Sequence, residues 1–479
     1  MKSSAVKTSR SAASSALPNQ VSMAYCWYVV LVLMVCYTLS FVDRQILSLL
    51  VAPIKQDLGI SDTRIGLLQG TAFALFYTVL GLPLGRLADR RNRRNLIAAG
   101  VFLWSLMTGL CSVTASFRSL FLARIGVGVG EASLAPAAHS TIADYFPRER
   151  LGTALSIYAM GIFIGSGAAL IVGGTVIHAV AGLPAVHVPL IGTIASWRLT
   201  FLIVGLPGIP VGLLVYSVRE PLRRNLLKTS DGRVSRLSLG GVLHELGSRW
   251  KSVVGVSVGL SCQAMCNYGL LAWGPTYFLR VHGWGPARTG LVLGILTLTI
   301  GCVGMYAGGR LCDRWQRHAL LEAPLKVGAV GTLWAGLFFG LAILAPGVGW
   351  TIALLVPALL FLAMPVGSSF AALQLIFPNQ ARSLVAALLI FTVGMGGQIL
   401  GPLLPGVLND YLFRDGNMVG YSLALTIGIA SVVGAASFRA AYGSYREHYA
   451  GMRELELKEI GAMSNATDGT IPETGSASV

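Results

Sequence analysis

Four ionisable residues, Asp43, Arg44, Arg124 and Glu131, sit inside stretches otherwise apolar enough to cross a lipid bilayer. Each such group costs about 2.5–3.5 kcal/mol at mid-span on insertion scales, so groups of this kind mark pathways and binding sites. The chemistry open to them is partner exchange. Burial favours the neutral acid and an adjacent Arg favours the anion, so an Arg that turns to an incoming anion changes the protonation of the carboxylate it leaves. The first and fourth spans run in opposite directions, which brings Asp43 and Arg124 to similar depth and predicts that they pair. Glu131 lies seven residues beyond Arg124, two turns along the same face and about 10 Å deeper. Asp43 and Glu131 are therefore the candidate proton-coupling acids, and Arg44 and Arg124 the candidate receivers of a negative group. A static Asp–Arg tie between the two spans is the competing account.

These charges need helices to hold them. Of the 479 residues 54% are hydrophobic and only 12% charged, against about 25% charged in a soluble domain. Apolar runs of the roughly 20 residues that a span requires occur twelve times, at 24–52, 63–85, 95–115, 118–141, 152–178, 198–218, 252–280, 288–310, 325–346, 350–374, 383–408 and 419–441. Gly, at 58 residues, suits close helix contact in lipid. The hexapeptides Gly85-Arg-Leu-Ala-Asp-Arg90 and Gly309-Arg-Leu-Cys-Asp-Arg314 recur 224 residues apart, and Phe146-Pro147 and Phe377-Pro378 repeat at a comparable offset. Duplication of this kind predicts an all-α integral membrane protein with two pseudo-symmetric six-helix bundles, a plan common among secondary transporters.

Charge fixes the expected orientation. Of 36 Lys and Arg, 27 fall on one set of alternate loops and tails and 7 on the other. The positive-inside rule puts the rich set, and with it both termini, in the cytoplasm of a cell whose inner membrane holds the chain. The net charge of +16 thus needs no nucleic-acid partner; the lipid bilayer is the expected partner of a monomer. The implied parts are a tail (1–23), a six-helix bundle (24–218), a basic linker (219–251), a second bundle (252–441) and a polar tail (442–479). Within the linker Leu239, Val242, Leu243, Leu246 and Trp250 recur at helical spacing, which fits a surface helix on anionic lipid as well as it fits a plain linker. The seven Cys read as small apolar residues, and no metal-ligand spacing joins them. No cofactor is implied beyond a proton gradient.

Milder candidates line up beside the charges. Phe73, Tyr77 and Tyr158 offer aromatic faces; Gln263, Asn267 and Tyr268 offer hydrogen bonds from the second half. All are as compatible with helix packing as with cargo. Gly85, Asp89, Arg90, Arg94, Asp313 and Arg314 are the candidate gate, with Asp89 able to cap a neighbouring helix and latch the two halves together at the cytoplasmic face.

Gly85–Arg94 resembles the loop 2–3 signature of the major facilitator superfamily, Gly309–Arg314 its degenerate copy, and Arg124, Gly128 and Gly130 its span-4 pattern. The chain departs from that pattern at Val127 and Glu131, and Gly161–Ser166 lacks the Gly-Pro pair of the drug antiporters. Val42-Asp43-Arg44-Gln45, Gly126–Ser133 and Trp273–Leu279 are similar to the spinster-like branch, in bacterial form. That branch includes exporters of sphingosine-1-phosphate and lysosomal carriers of lysophospholipids. The resemblance implies Asp43 and Glu131 as coupling acids and Arg124 as the anion-facing base, with a proton-coupled carrier of an amphipathic anion working by alternating access. An organic anion symporter for sugar acids or sugar phosphates shares the Asp-Arg of span 1 and is the alternative. A receptor or scaffold that moves nothing is the alternative of another class. No nucleophile–base set or phosphate loop suggests an enzyme.

Overall fold

The computed structural model describes residues 22–88, 90–181, 186–188, 192–221, 239–377 and 379–454. Asp89 and most of the 219–238 segment lie outside them. Among the described residues twelve helices are long and apolar enough to span a membrane: Met23–Leu49, Asp62–Ala88, Arg93–Val113, Phe117–Tyr145, Thr153–Val180, Ser196–Val215, Trp250–Val281, Pro286–Arg317, Ala323–Leu344, Val348–Ser369, Val385–Phe413 and Gly416–Ala440, here spans 1 to 12. Many side chains that face outward are apolar, Leu122 and Leu213 among them, as a lipid solvent requires. Short elements complete the fold: a helix at Val51–Leu58, a helix at Leu239–Ser248 ahead of span 7, and a hairpin pairing Val186 with Ile194 in the span 5–6 loop.

The face at which span 1 begins and span 12 ends is the basic face. The two halves touch along spans 5 and 8, spans 2 and 11, and spans 1 and 7. Glycine makes these seams. A Cβ on Gly290 would sit 2.0 Å from the Leu170 carbonyl oxygen, and one on Gly66 would sit 2.7 Å from that of Pro402. Going toward the basic face, the seams end. Gly301 still meets Phe163 across the halves, but Gly304 and Gly308 meet Leu360 and Met364 of their own half. On span 2, Thr78 still reaches Gly394, whereas Gly85 meets only Pro136 of its own half. The bundles are packed together at the far face and splayed at the basic face.

Of the expected latch at the basic face, Asp89 lies outside the described residues. Among the described residues Arg90, Arg94, Asp313 and Arg314 make no ion pair, and Arg90, Asp313 and Arg314 are exposed. The buried cation of that turn is Arg93, which donates to Asp144 at 2.6 Å, Glu220 at 2.9 Å and Ser140 at 2.8 Å. Ser140 and Asp144 lie on span 4 and Glu220 just beyond the end of span 6, so Arg93 ties spans 3 and 4 to the start of the linker rather than one bundle to the other.

A closed latch lies at the opposite face. Asp62, 1% exposed, opens span 2 and accepts from Lys55 at 2.5 Å, from both terminal nitrogens of Arg280 on span 7 at 2.8 and 2.9 Å, and from Asn409 on span 11 at 3.0 Å. Asp410 in turn accepts from the backbone N–H of Asp62 and Thr63 at 3.2 and 2.6 Å, the usual preference for negative charge at a helix N-terminus. Stranding a buried charge outright costs about 3–5 kcal/mol, and Asp62 keeps Lys55 when Arg280 is removed, so the loss falls below that; about half of the 5.5 kcal/mol that inverts a 1:99 equilibrium is enough to bring it to parity. Arg280→Ala is expected to populate a state open at this face. With spin labels at Arg118 and Met418, electron–electron resonance should read a second, longer distance in the variant. A single unchanged distance would show that the latch does not hold the face shut.

Candidate functional site

Span 1 presents Phe41, Arg44, Gln45 and Ser48, a spacing that puts all four on one helical face, toward a cavity of about 470 Å³ between the bundles. Gln69 and Phe73 of span 2, Tyr268 of span 7, and Gln398 of span 11 close it. Arg44 donates through Nε and Nη2 to one oxygen of Glu131, at 2.7 and 2.6 Å. Three rings surround the same guanidinium, with centroids at 4.7 Å (Phe41), 4.4 Å (Phe73) and 4.8 Å (Tyr77). A desolvated cation over an aromatic face gains about 2 kcal/mol, so this cage shares the cost of keeping Arg44 away from water. The second oxygen of Glu131, Oε1, makes no hydrogen bond of normal geometry, and the Ser40 hydroxyl is the side-chain donor nearest to serving the carboxylate.

The pairing therefore differs from the expected one. Arg124 does not grip the Asp43 carboxylate; its Nη1 donates to the Asp43 main-chain oxygen at 3.0 Å, and its Nε is unpartnered. The Asp43 carboxylate makes no hydrogen bond of normal geometry, and the Trp104 indole is the donor nearest to serving it. Neighbouring residues on a helix point about 100° apart, and rotation of span 1 sends Arg44, not Asp43, to the acid of span 4.

The glycines of span 4 explain how four charges fit here. A Cβ on Gly128 would lie 2.5 Å from the Phe73 carbonyl oxygen, and one on Gly130 would lie 2.7 Å from the Trp104 nitrogen. The bare backbone lets span 2 set the Phe73 ring between Arg44 and Arg124, whose guanidinium is 6.0 Å from its centroid. It likewise lets span 3 set Trp104 beside Asp43. The regular helix stops at Glu131, and the Ser133 hydroxyl bonds back to the Gly130 oxygen at 2.9 Å.

The remaining candidates separate. Tyr268 lines the cavity. Tyr77 stacks on Phe73 at 5.2 Å and serves as a wall of the Arg44 cage. Tyr158 is fully buried, stacked on Tyr37 at 4.8 Å with the His139 ring edge-on at 5.2 Å, in the core of the first half rather than on the cavity. Gln263 donates to the Leu362 oxygen at 2.8 Å, a tie between spans 7 and 10. Asn267 faces a second pocket, about 640 Å³, whose walls are otherwise mostly apolar: Leu170, Leu270, Leu293, Leu355 and Leu362 among them. Leu271 lines both spaces. Gln45, Ser48 and Gln69 are site residues that sequence reasoning missed; the first two were readable from their spacing to Arg44.

Deleting one member of the buried pair should be worse than deleting both. Arg44→Ala strands the Glu131 carboxylate and is expected to destabilise by about 3–5 kcal/mol, whereas a neutral pair loses much less. Thermal unfolding in detergent should show Glu131→Gln restoring most of the melting temperature lost in Arg44→Ala. Additive losses would mean that the two side chains are not coupled.

The sequence profile of the Major Facilitator Superfamily matches residues 33–402. An "MFS-type efflux pump" of Mycolicibacterium smegmatis is 31% identical over 434 residues, covering 88% of this chain and 93% of that protein. Human "Protein spinster homolog 1" is 32% identical over 331 residues, 65% of this chain and 60% of that one. A "Probable L-galactonate transporter" of Escherichia coli is 28% identical over 318 residues, 64% and 65% of the two chains. Among solved structures, a bacterial homolog to the human lysosomal transporter spinster, in an inward-facing and unoccupied conformation, superposes with a TM-score of 0.71 at 26% identity, covering 91% of this chain and 99% of that one. Twelve spans in two halves, a caged Arg–Glu pair in the first half and these matches together make the chain a transporter of the major facilitator superfamily, in its spinster-like branch.

Proposed function

We propose that this transporter carries an amphipathic anion together with a proton, by alternating access. The observation that carries the reading is the junction of two unlike spaces: a cavity with one caged guanidinium opens beside a larger, mostly apolar pocket, and Leu271 belongs to both. A headgroup at Arg44 and an acyl or alkyl tail among the leucines would satisfy each wall in kind. Charge balance supports the proton. Two Arg and two acids sum to zero when both acids are ionised, so an anion that takes Arg44 leaves an excess negative charge in a dry site. A proton on Glu131 removes it, and Asp43 supplies a second acid in the same cluster.

The splayed basic face is cytoplasmic in this reading, as the distribution of Lys and Arg supports, and the conformation is open inward. The protein would work as a monomer in the inner membrane of a bacterium. A sugar-acid symporter is the second reading, favoured by the name of the Escherichia coli relative and by the several hydrogen-bonding groups in the cavity wall. Proteoliposomes decide. With one proton per anion, a one-unit pH gradient should accumulate a labelled lysophosphatidate up to about tenfold, and Glu131→Gln should abolish that accumulation in protein that melts lower but is still folded at the assay temperature. Accumulation of a hexonate in place of the lysolipid would establish the second reading. Flux of neither, with binding retained, would make the chain a receptor.

A further inference from the structure

Arg44 and Glu131 account for charge, but the cavity wall also holds polar groups that charge recognition leaves idle. Span 2 departs from α-helical winding in one widened turn, Leu67–Thr71, and span 11 in two, Gly394–Ile399 and, at its far-face end, Leu408–Phe413. Turns of this kind shift the register of the side chains they carry and recur at functional sites. The first two are in contact: a Cβ on Gly70 would lie 2.9 Å from the carbonyl oxygens of both Gln398 and Ile399. Each of these two carries a Gln, and Gln69 and Gln398 both line the cavity.

Gln69 is the anomaly. Both heteroatoms of its amide are shielded from solvent, and neither has a hydrogen-bond partner. A buried amide left unmet costs about 1–3 kcal/mol, so a residue kept for packing alone would be better as Leu or Met. No charged group bonds to it, so it is not part of the Arg44–Glu131 exchange. Its amide offers a donor and an acceptor side by side, which is the complement of a hydroxyl.

We infer that Gln69 is a specificity-determining residue that reads a neutral hydroxyl on the cargo, close to the anionic group that takes Arg44. The inference deepens the proposed function and rests on an anion occupying that cavity. It applies equally to two sources of the same chemistry, the glycerol hydroxyl of a lysolipid and a ring-opened sugar-acid hydroxyl. Gln398, from the facing turn, is the second amide on that wall.

Two ligand pairs test it on purified full-length protein. The first is a 1-acyl lysophosphatidate and its analogue lacking the glycerol hydroxyl; the second is galactonate and 2-deoxygalactonate. In at least one pair, wild type should prefer the hydroxylated member by about tenfold or more, the equivalent of one unmet buried hydrogen bond. Gln69→Leu should erase that preference and bind the deoxy member at least as tightly as wild type does. Without ligand, Gln69→Leu should melt no lower than wild type, because it removes an unmet amide; Gln69→Asn, which keeps the amide but shortens its reach, should also weaken the preference. Discrimination in the sugar-acid pair alone would sink the amphipathic reading and keep this one. Equal affinity within both pairs, preference retained in Gln69→Leu, or binding of neither pair would overturn it.

Discussion

Two guanidinium groups and two carboxylates are packed into the apolar interior of the first bundle, and they must stay neutral together. A lone buried charge is far costlier than a pair, because desolvation is repaid only by a partner of opposite sign in good geometry. That constraint explains the local structure more fully than packing does. Glycines at 128 and 130 bring in the Phe73 and Trp104 segments. The rings of Phe41, Phe73 and Tyr77 close on Arg44, and the main chain at Asp43 receives Arg124. Each of these features lowers the cost of a charge without cancelling it. Glu131 Oε1, Arg124 Nε and the Asp43 carboxylate make no hydrogen bond of normal geometry here, with Ser40 and Trp104 the side-chain donors nearest the two acids.

The second bundle contributes differently. Its buried polar side chains are mostly spent on its own architecture, as Gln263 is on Leu362 and Trp273 on the Pro402 oxygen. What it offers the cavity is shape and grease, with Tyr268 and Gln398 as exceptions. Charge in one half and apolar volume in the other suit a ligand with two unlike ends. With the costly groups gathered in the first half, the rocking of the second half that the proposed alternating access requires would drag none of them through lipid.

Much of this was legible in the sequence. Span count followed from hydropathy, since lipid forbids long polar stretches in a helix, and duplication followed from the two Gly-Arg-Leu-x-Asp-Arg turns. The four charges stood out because each is expensive. What the sequence did not determine was the rotation of span 1 against span 4, and one residue of rotation decides whether Asp43 or Arg44 meets Glu131. It also did not determine which face is shut. Lys55, Asp62 and Arg280 sit at span ends, where charge is cheap and uninformative, and only the folded chain shows them converging. The widened turns at Leu67–Thr71 and Gly394–Ile399 were hidden for another reason: one extra residue per turn leaves apolar periodicity almost unchanged, though the glycines in both segments were a trace of them.

The aromatic cage bears on how such a site could release what it binds. An Arg held only by Glu131 would lose its whole stabilisation on letting go, and an anion would have to replace all of it at once. Arg44 keeps three ring faces through any exchange, so the cost of swapping the carboxylate for a cargo anion is the difference between two ion pairs. A ligand can shift a conformational equilibrium only by the difference in its affinity for the two states. A small, adjustable difference at Arg44 is therefore better suited to repeated loading and unloading than a deep trap. The far-face latch follows the same logic at Asp62, which keeps Lys55 of its own half when Arg280 and Asn409 depart, while Asp410 gives up the N–H groups of Asp62 and Thr63.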